Sequence, residues 1–153
     1  MSVGGKGRDN QNIEIKKTIV IDAAPEVIFK ALTDPAELTQ WFPDQAILKA
    51  KVGGNIGFDF SDKKPKKDGG CEVKGVITEF ISNKKISYTW QNSTDSSEIS
   101  TSVVTWVLEK INDDGTRVNL SHTGIMTRET AKDREGGWSY FLPRLKKYSE
   151  GKQ

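Results

Sequence analysis

The chain has 153 residues, 35% of them hydrophobic and 29% charged, and a formal net charge of +2. This length holds a core of ordinary size but not two domains of typical length, and the composition is that of a globular rather than a disordered chain. Acids and bases are interspersed, which leaves no broad field for nucleic acid or an anionic membrane, and no apolar run approaches the ~18 residues that span a bilayer.

Met1 to Asn12 is polar and glycine-rich. It predicts a disordered tail without a signal peptide, ahead of a single domain over residues 13–150 in a cytoplasmic protein. Ile13, Ile15, Ile19 and Ile21 then share one parity, broken only by Lys17, which is the period of a strand with one buried face. Pro25 suits the first turn of a helix, and Val27, Ile28, Ala31 and Leu32 recur at helical spacing. A second short helix is predicted to about Trp41, capped by Asp34, with Glu37 placed to reach back to the cap.

Past Pro43 the period returns to two. Ile47 and Leu48 begin a strand, Gly53-Gly54 make a turn, and Ile56, Phe58 and Phe60 alternate with Gly57 and Asp59. Lys63, Lys64, Lys66 and Lys67 around Pro65 read as a solvated loop, since no aromatic or Arg among them would read bases. Cys71 is the only cysteine, which excludes an intramolecular disulfide and a thiolate metal cluster. It shares a parity with Val73 and Ile77, and Gly75 between them marks a bulge or a close backbone approach.

Asn83-Lys84 is a turn, Ile86, Tyr88 and Trp90 form one face of the next strand, and polar residues from Gln91 to Ser97 end it. Val104, Trp106 and Leu108 share a face of a long strand, which turns at Asp113-Asp114-Gly115 into a partner carrying Val118, Leu120 and His122. Glu135-Gly136-Gly137 reads as a helix start, after which Trp138, Phe141, Leu142, Leu145 and Tyr148 follow amphipathic spacing. Pro143, inside that stripe, predicts a kink.

This order excludes the parallel-sheet folds, which need a crossover helix between successive strands. It predicts an α+β fold in which an antiparallel sheet curls around the last helix. Large rings on both surfaces make a cavity between them the expected place for a ligand.

His122 is the only histidine, and its parity turns the ring inward. Such a ring can act as a general base, but spacing fixes no acidic partner, and a hydrogen-bonded core histidine is the preferred reading. With no second His and no compact Asp/Glu cluster, no metal site is expected. Trp41-Phe42 read equally as the aromatic lip of a pocket or as a plug in the core. Tyr88, Trp90 and Trp106 are expected on the concave face, where a hydroxyl and indole nitrogens must find partners and so offer anchors for a ligand. Gly53-Gly54 is followed by neither Gly-Lys-Ser/Thr nor a helix, and reads as a turn rather than a phosphate loop.

Ala24 to Phe29, Ala31 to Pro35, Leu38 with Trp41-Phe42, Val52-Gly53-Gly54, Gly75-Val76-Ile77, Ile86 to Trp90, Gly115 to His122, and Gly137-Trp138 with Leu142 and Leu145 run in this order over residues 14–149. Together they resemble the activator of heat-shock-protein-90 ATPase homologue family of the START-like, or SRPBCC, superfamily. The resemblance implies the helix-grip fold of the birch-pollen allergen: a curved antiparallel sheet of about six to seven strands around a long C-terminal helix, with two short helices after the first strand.

It also implies a pocket for a hydrophobic or amphipathic small molecule or lipid, with no cofactor. From the first half of the chain Trp41, Phe42, Phe58 and Phe60 would line it. Tyr88, Trp90, Trp106 and His122 would contribute from the later strands, and Trp138, Phe141, Leu142 and Leu145 from the helix. Two other functions stay open. One is an enzyme of the cyclase or hydrolase kind, with His122 and Tyr88 as acid/base candidates because they are predicted to be an inward pair of titratable groups on one concave surface. The other is a stress-response module that binds a chaperone. A binding protein is preferred over an enzyme, as a monomer or weak homodimer.

Overall fold

The computed structural model describes residues 13–60, 72–92 and 101–152. The predicted tail, the lysine-rich loop, Cys71 and residues 93–97 lie outside them. In chain order the elements are β1 (Ile13–Ile21), α1 (Pro25–Thr33), α2 (Pro35–Trp41), β2 (Gln45–Leu48) and β3 (Asn55–Asp59). β4 (Glu72–Ile81), β5 (Lys85–Asn92), β6 (Ser102–Asn112), β7 (Gly115–Ile125) and α3 (Arg128–Gly151) complete them. The seven strands make one curved antiparallel sheet in the order β1-β7-β6-β5-β4-β3-β2, the α+β helix-grip architecture expected from the sequence.

Strand parity assigns the concave face. Ile86, Tyr88 and Trp90 on β5, Val104, Trp106 and Leu108 on β6, and Val118, Leu120 and His122 on β7 are all buried. Register sets Trp106 between Ile86 and Leu120, and Val104 between Tyr88 and His122. Side chains directly opposite one another across strands pack as pairs, so these rows form a continuous apolar floor. Gly75 proves to be a close approach rather than a bulge, since a Cβ there would lie 1.8 Å from the main-chain oxygen of Thr89. The irregularity in the β4–β5 pairing falls between Ile77 and Glu79 instead. Gly53, at φ +86°, turns the chain as predicted, and the turn is tied to β4 by bonds of 2.8 Å between Gly53 N–H and Ile77 O and between Ile77 N–H and Gly54 O.

α1 ends at Asp34 because the residue before a proline is pushed out of the helical region. The carboxylate of Asp34 then caps α2 by accepting from Ala36 N–H at 2.9 Å. The expected reach of Glu37 back to the cap does not occur. Asp34 N–H already donates to Lys30 O at 2.9 Å, and the Glu37 carboxylate faces Lys30 at 3.5 Å and bonds Tyr148.

α3 corrects the predicted helix start. It begins at Arg128, where Thr127 Oγ1 accepts from Thr130 N–H at 3.1 Å, so Gly136 and Gly137 sit inside the helix. A Cβ at either would meet nothing within 4 Å, so both glycines cost propensity, about 1 kcal/mol each, and no packing. Trp138, Phe141, Leu142 and Leu145 are buried as the stripe requires, with Tyr148 half-buried, and the helix continues through Pro143. Near its end, Lys146 Nζ donates to Val20 O at 3.2 Å and the Glu150 carboxylate accepts from Asp22 N–H at 2.9 Å, which ties α3 to β1. None of the described helices is long and apolar enough to cross a membrane.

Candidate functional site

Pro43 cannot continue α2, and the chain leaves the helix at Phe42, whose N–H still donates to Leu38 O at 2.9 Å. This exit drives the Phe42 ring between sheet and α3. It stacks on Trp41 and Trp138 at centroid separations of 4.8 and 5.6 Å, and meets Phe58, Phe60 and Phe141 edge-on at 5.2, 5.1 and 4.9 Å. At 1% exposure the ring lies inside the core, so the plug describes its place and the lip does not. Trp41 is buried beside it, anchored by its own N–H to Ala31 O at 2.9 Å.

The structure brings the other predicted residues to the same region. Trp90 lies 5.4 Å from Trp138 and 6.0 Å from Phe58, Trp106 lies 5.6 Å from Trp138, and Phe60 lies 5.6 Å from Phe141. Leu142 and Leu145 are buried one step further along α3, and Tyr88 meets Phe58 at 5.9 Å. Offset and edge-on ring pairs each add about 0.5–1.5 kcal/mol beyond area burial, so this cluster is the energetic centre of the sheet–helix contact.

A chain of hydrogen bonds crosses it. Trp138 Nε1–H donates to His122 Nδ1 at 3.0 Å. An indole nitrogen only donates, so Nδ1 must be the bare nitrogen and the neutral ring carries its proton on Nε2. Nε2–H therefore donates to Ser102 Oγ at 2.7 Å, and the Ser102 hydroxyl donates to Trp90 O at 3.3 Å. Burial, helped by the nearby charge of Arg134, pulls the His122 pKa down to about 3. The ring is therefore neutral at ordinary pH, and both nitrogens are engaged, which leaves neither a lone pair nor a proton facing a substrate. Tyr88 Oη accepts from Trp106 Nε1 at 2.9 Å. Burial pushes this phenol far above its usual range, and the Trp106 bond only partly opposes that.

Three features of the site escape the sequence reading. Ser102 shares the parity of Val104 and Trp106, a signal that would have placed it inward. Arg134 stands four residues before Trp138, on the buried face once α3 is extended to its true start; its side chain is 10% exposed and pairs with Asp133 at 2.7 Å. Among the described residues Trp90 Nε1 is buried without a hydrogen-bond partner, which only coordinates reveal. Among the described residues no group of three or more His, Cys, Asp or Glu could hold a metal ion.

No curated protein matches the chain. Among solved structures it is similar to a Mesorhizobium loti protein at 23% identity, with a TM-score of 0.77 over 92% of this chain and 99% of that one, a likeness of fold. It is also similar to the Aha1 dimer of Colwellia psychrerythraea at 26% identity, with a TM-score of 0.71 over 90% of this chain and 96% of that one. An HSP90 activator from Plasmodium falciparum is 25% identical, with a TM-score of 0.69 over 87% of this chain and 93% of that one. Residues 22–150 match the family described as Activator of Hsp90 ATPase homolog 1-like protein, and the chain belongs to that family.

Proposed function

We propose that this chain is a non-catalytic binding module that holds an apolar small molecule between its sheet and α3, at the seat filled by Phe42. One observation carries the reading. The ring that joins the two walls comes from the connection after α2, while Phe58 and Trp90 on the sheet and Trp138 and Phe141 on α3 are its neighbours. The walls keep their own hydrogen bonds, Trp138 to His122 and Trp106 to Tyr88, whichever ring stands between them. A ligand ring that displaces Phe42 recovers the same ring contacts at the cost of moving one short connection, and its affinity falls by the fraction of molecules with the seat open. A cyclase or hydrolase reading requires His122 or Tyr88 to exchange protons with a substrate; both His122 nitrogens are engaged, and burial makes the Tyr88 phenol hard to ionise.

All four tryptophans are at most 6% exposed, and each stands within the ring cluster, so entry of a ligand changes their emission. Titration with a library of apolar compounds, read by tryptophan emission and native mass spectrometry, is expected to give one-to-one complexes. If no compound forms a complex and the emission never changes, the reading fails.

The likeness to the Plasmodium falciparum HSP90 activator favours a second reading, association with an Hsp90-type chaperone. Co-sedimentation with a purified chaperone would support it, and the absence of any complex would remove it.

A further inference from the structure

Around Phe42 the polar atoms divide unevenly between donors and acceptors. Trp138 Nε1–H is engaged by His122 and Trp106 Nε1–H by Tyr88. Trp90 Nε1–H is buried with no acceptor among the described residues, on a residue only 6% exposed. Tyr88 Oη accepts from Trp106, and no group among the described residues takes its own hydrogen. These two side chains stand two residues apart on one face of β5, and both rings flank Phe58, which itself packs on Phe42. Matching acceptors are missing. His122 accepts from Trp138 on one nitrogen and donates to Ser102 from the other, and no carboxylate is buried among the described residues.

A buried donor without a partner carries a desolvation penalty that a hydrocarbon ligand leaves in place and a ligand oxygen removes. Resting on the seat described above, we infer that its ligand is a neutral aromatic carbonyl compound, a ketone or quinone-like ring, whose oxygen accepts from Trp90 Nε1–H. The Tyr88 hydroxyl supplies a second donor on the same wall. A carboxylate is the poorer fit. The cation on the buried face of α3, Arg134, is already faced by Asp133 at 2.7 Å, so a ligand charge would enter the ring cluster uncompensated.

Indanone, indane and indane carboxylate share one ring system and differ only in their oxygen chemistry. Each is titrated into the full chain and followed by tryptophan emission and by proton–nitrogen correlation spectra of the indole N–H groups. Indanone is expected to bind about tenfold tighter than indane, although water holds the ketone better, and to shift the Trp90 indole resonance. In Trp90→Phe the order reverses, with indane keeping its affinity.

Equal affinities in the unmodified chain, or a ketone preference that survives in Trp90→Phe, overturn the acceptor site and leave the seat standing. Tightest binding by the carboxylate overturns the neutral class. Binding by none of the three overturns seat and inference together. Where Trp90→Phe does not fold, the unmodified chain decides, because a Trp90 indole resonance unmoved by bound indanone refutes the contact.

Discussion

Beneath its middle turns α3 meets the sheet through neutral hydrogen bonds inside a cluster of rings, whereas its last two turns meet β1 and α2 through charges at the rim. The inner contact is Trp138 to His122 to Ser102, with each side chain at most 8% exposed. The outer one is Arg144 Nε to Trp41 O at 2.9 Å, Lys146 Nζ to Val20 O at 3.2 Å and Asp22 N–H to the Glu150 carboxylate at 2.9 Å, with the Lys146 and Glu150 side chains 40% and 30% exposed. Water can replace a lost partner at the rim but not in the core, so contacts of similar length differ in what their loss costs. The inner set fixes where α3 lies; the outer set only trims it.

The inner contact depends most heavily on Phe42, whose ring touches both sheet and α3. Phe42→Ala removes the ring that joins both walls and is expected to lower unfolding free energy by about 3–5 kcal/mol in denaturant titration. A loss below about 1 kcal/mol would show that the walls hold each other without it.

Acid probes the inner set through His122. The folded ring keeps a pKa of about 3 while the unfolded ring titrates near 6.5, so its contribution is complete above pH 6.5 and is lost as the pH falls toward 3. Across this window the stability of the chain should fall more steeply than that of His122→Asn, by about 1.4 kcal/mol per pH unit. Parallel pH profiles would mean that the folded ring accepts a proton readily.

Trp138→Phe keeps most of the ring packing but leaves His122 Nδ1 without its donor. The expected loss is about 1–3 kcal/mol, with a partial rise in the His122 pKa readable by nuclear magnetic resonance. The smallest effect is expected at the rim, where Lys146→Met should change stability by less than about 1 kcal/mol. A larger loss there would erase the distinction between the two layers.

Parity made most of the sheet legible. On β5, β6 and β7 the alternation of large apolar residues with Ser, Thr and Asn assigns one face to the core, and His122 follows because it keeps step with Val118 and Leu120. The start of α3 was hidden because Gly136-Gly137 punctuates the sequence more strongly than Thr127 does, although the hydroxyl of Thr127 is what satisfies the first free N–H. Of the candidate site, membership could be read and connection could not. Periodicity says that Trp90, Trp138 and His122 face inward. Which nitrogen meets which acceptor depends on sheet curvature and rotamers, and so does the donor left over on Trp90. Phe42 was ambiguous for a related reason, since it belongs to no periodic element and only the exit angle after α2 decides where its ring goes.

Among the described strands β1 lies at an edge of the sheet, where main-chain groups can pair with a strand from another molecule. Lys146 occupies one of them, Val20 O, and Glu150 takes the N–H of Asp22 just past the end of the strand. Side chains that add little to folding free energy thereby act as a guard against edge-to-edge aggregation. A chain cut after Leu145 would lose this guard and should self-associate at concentrations where the intact chain stays dispersed.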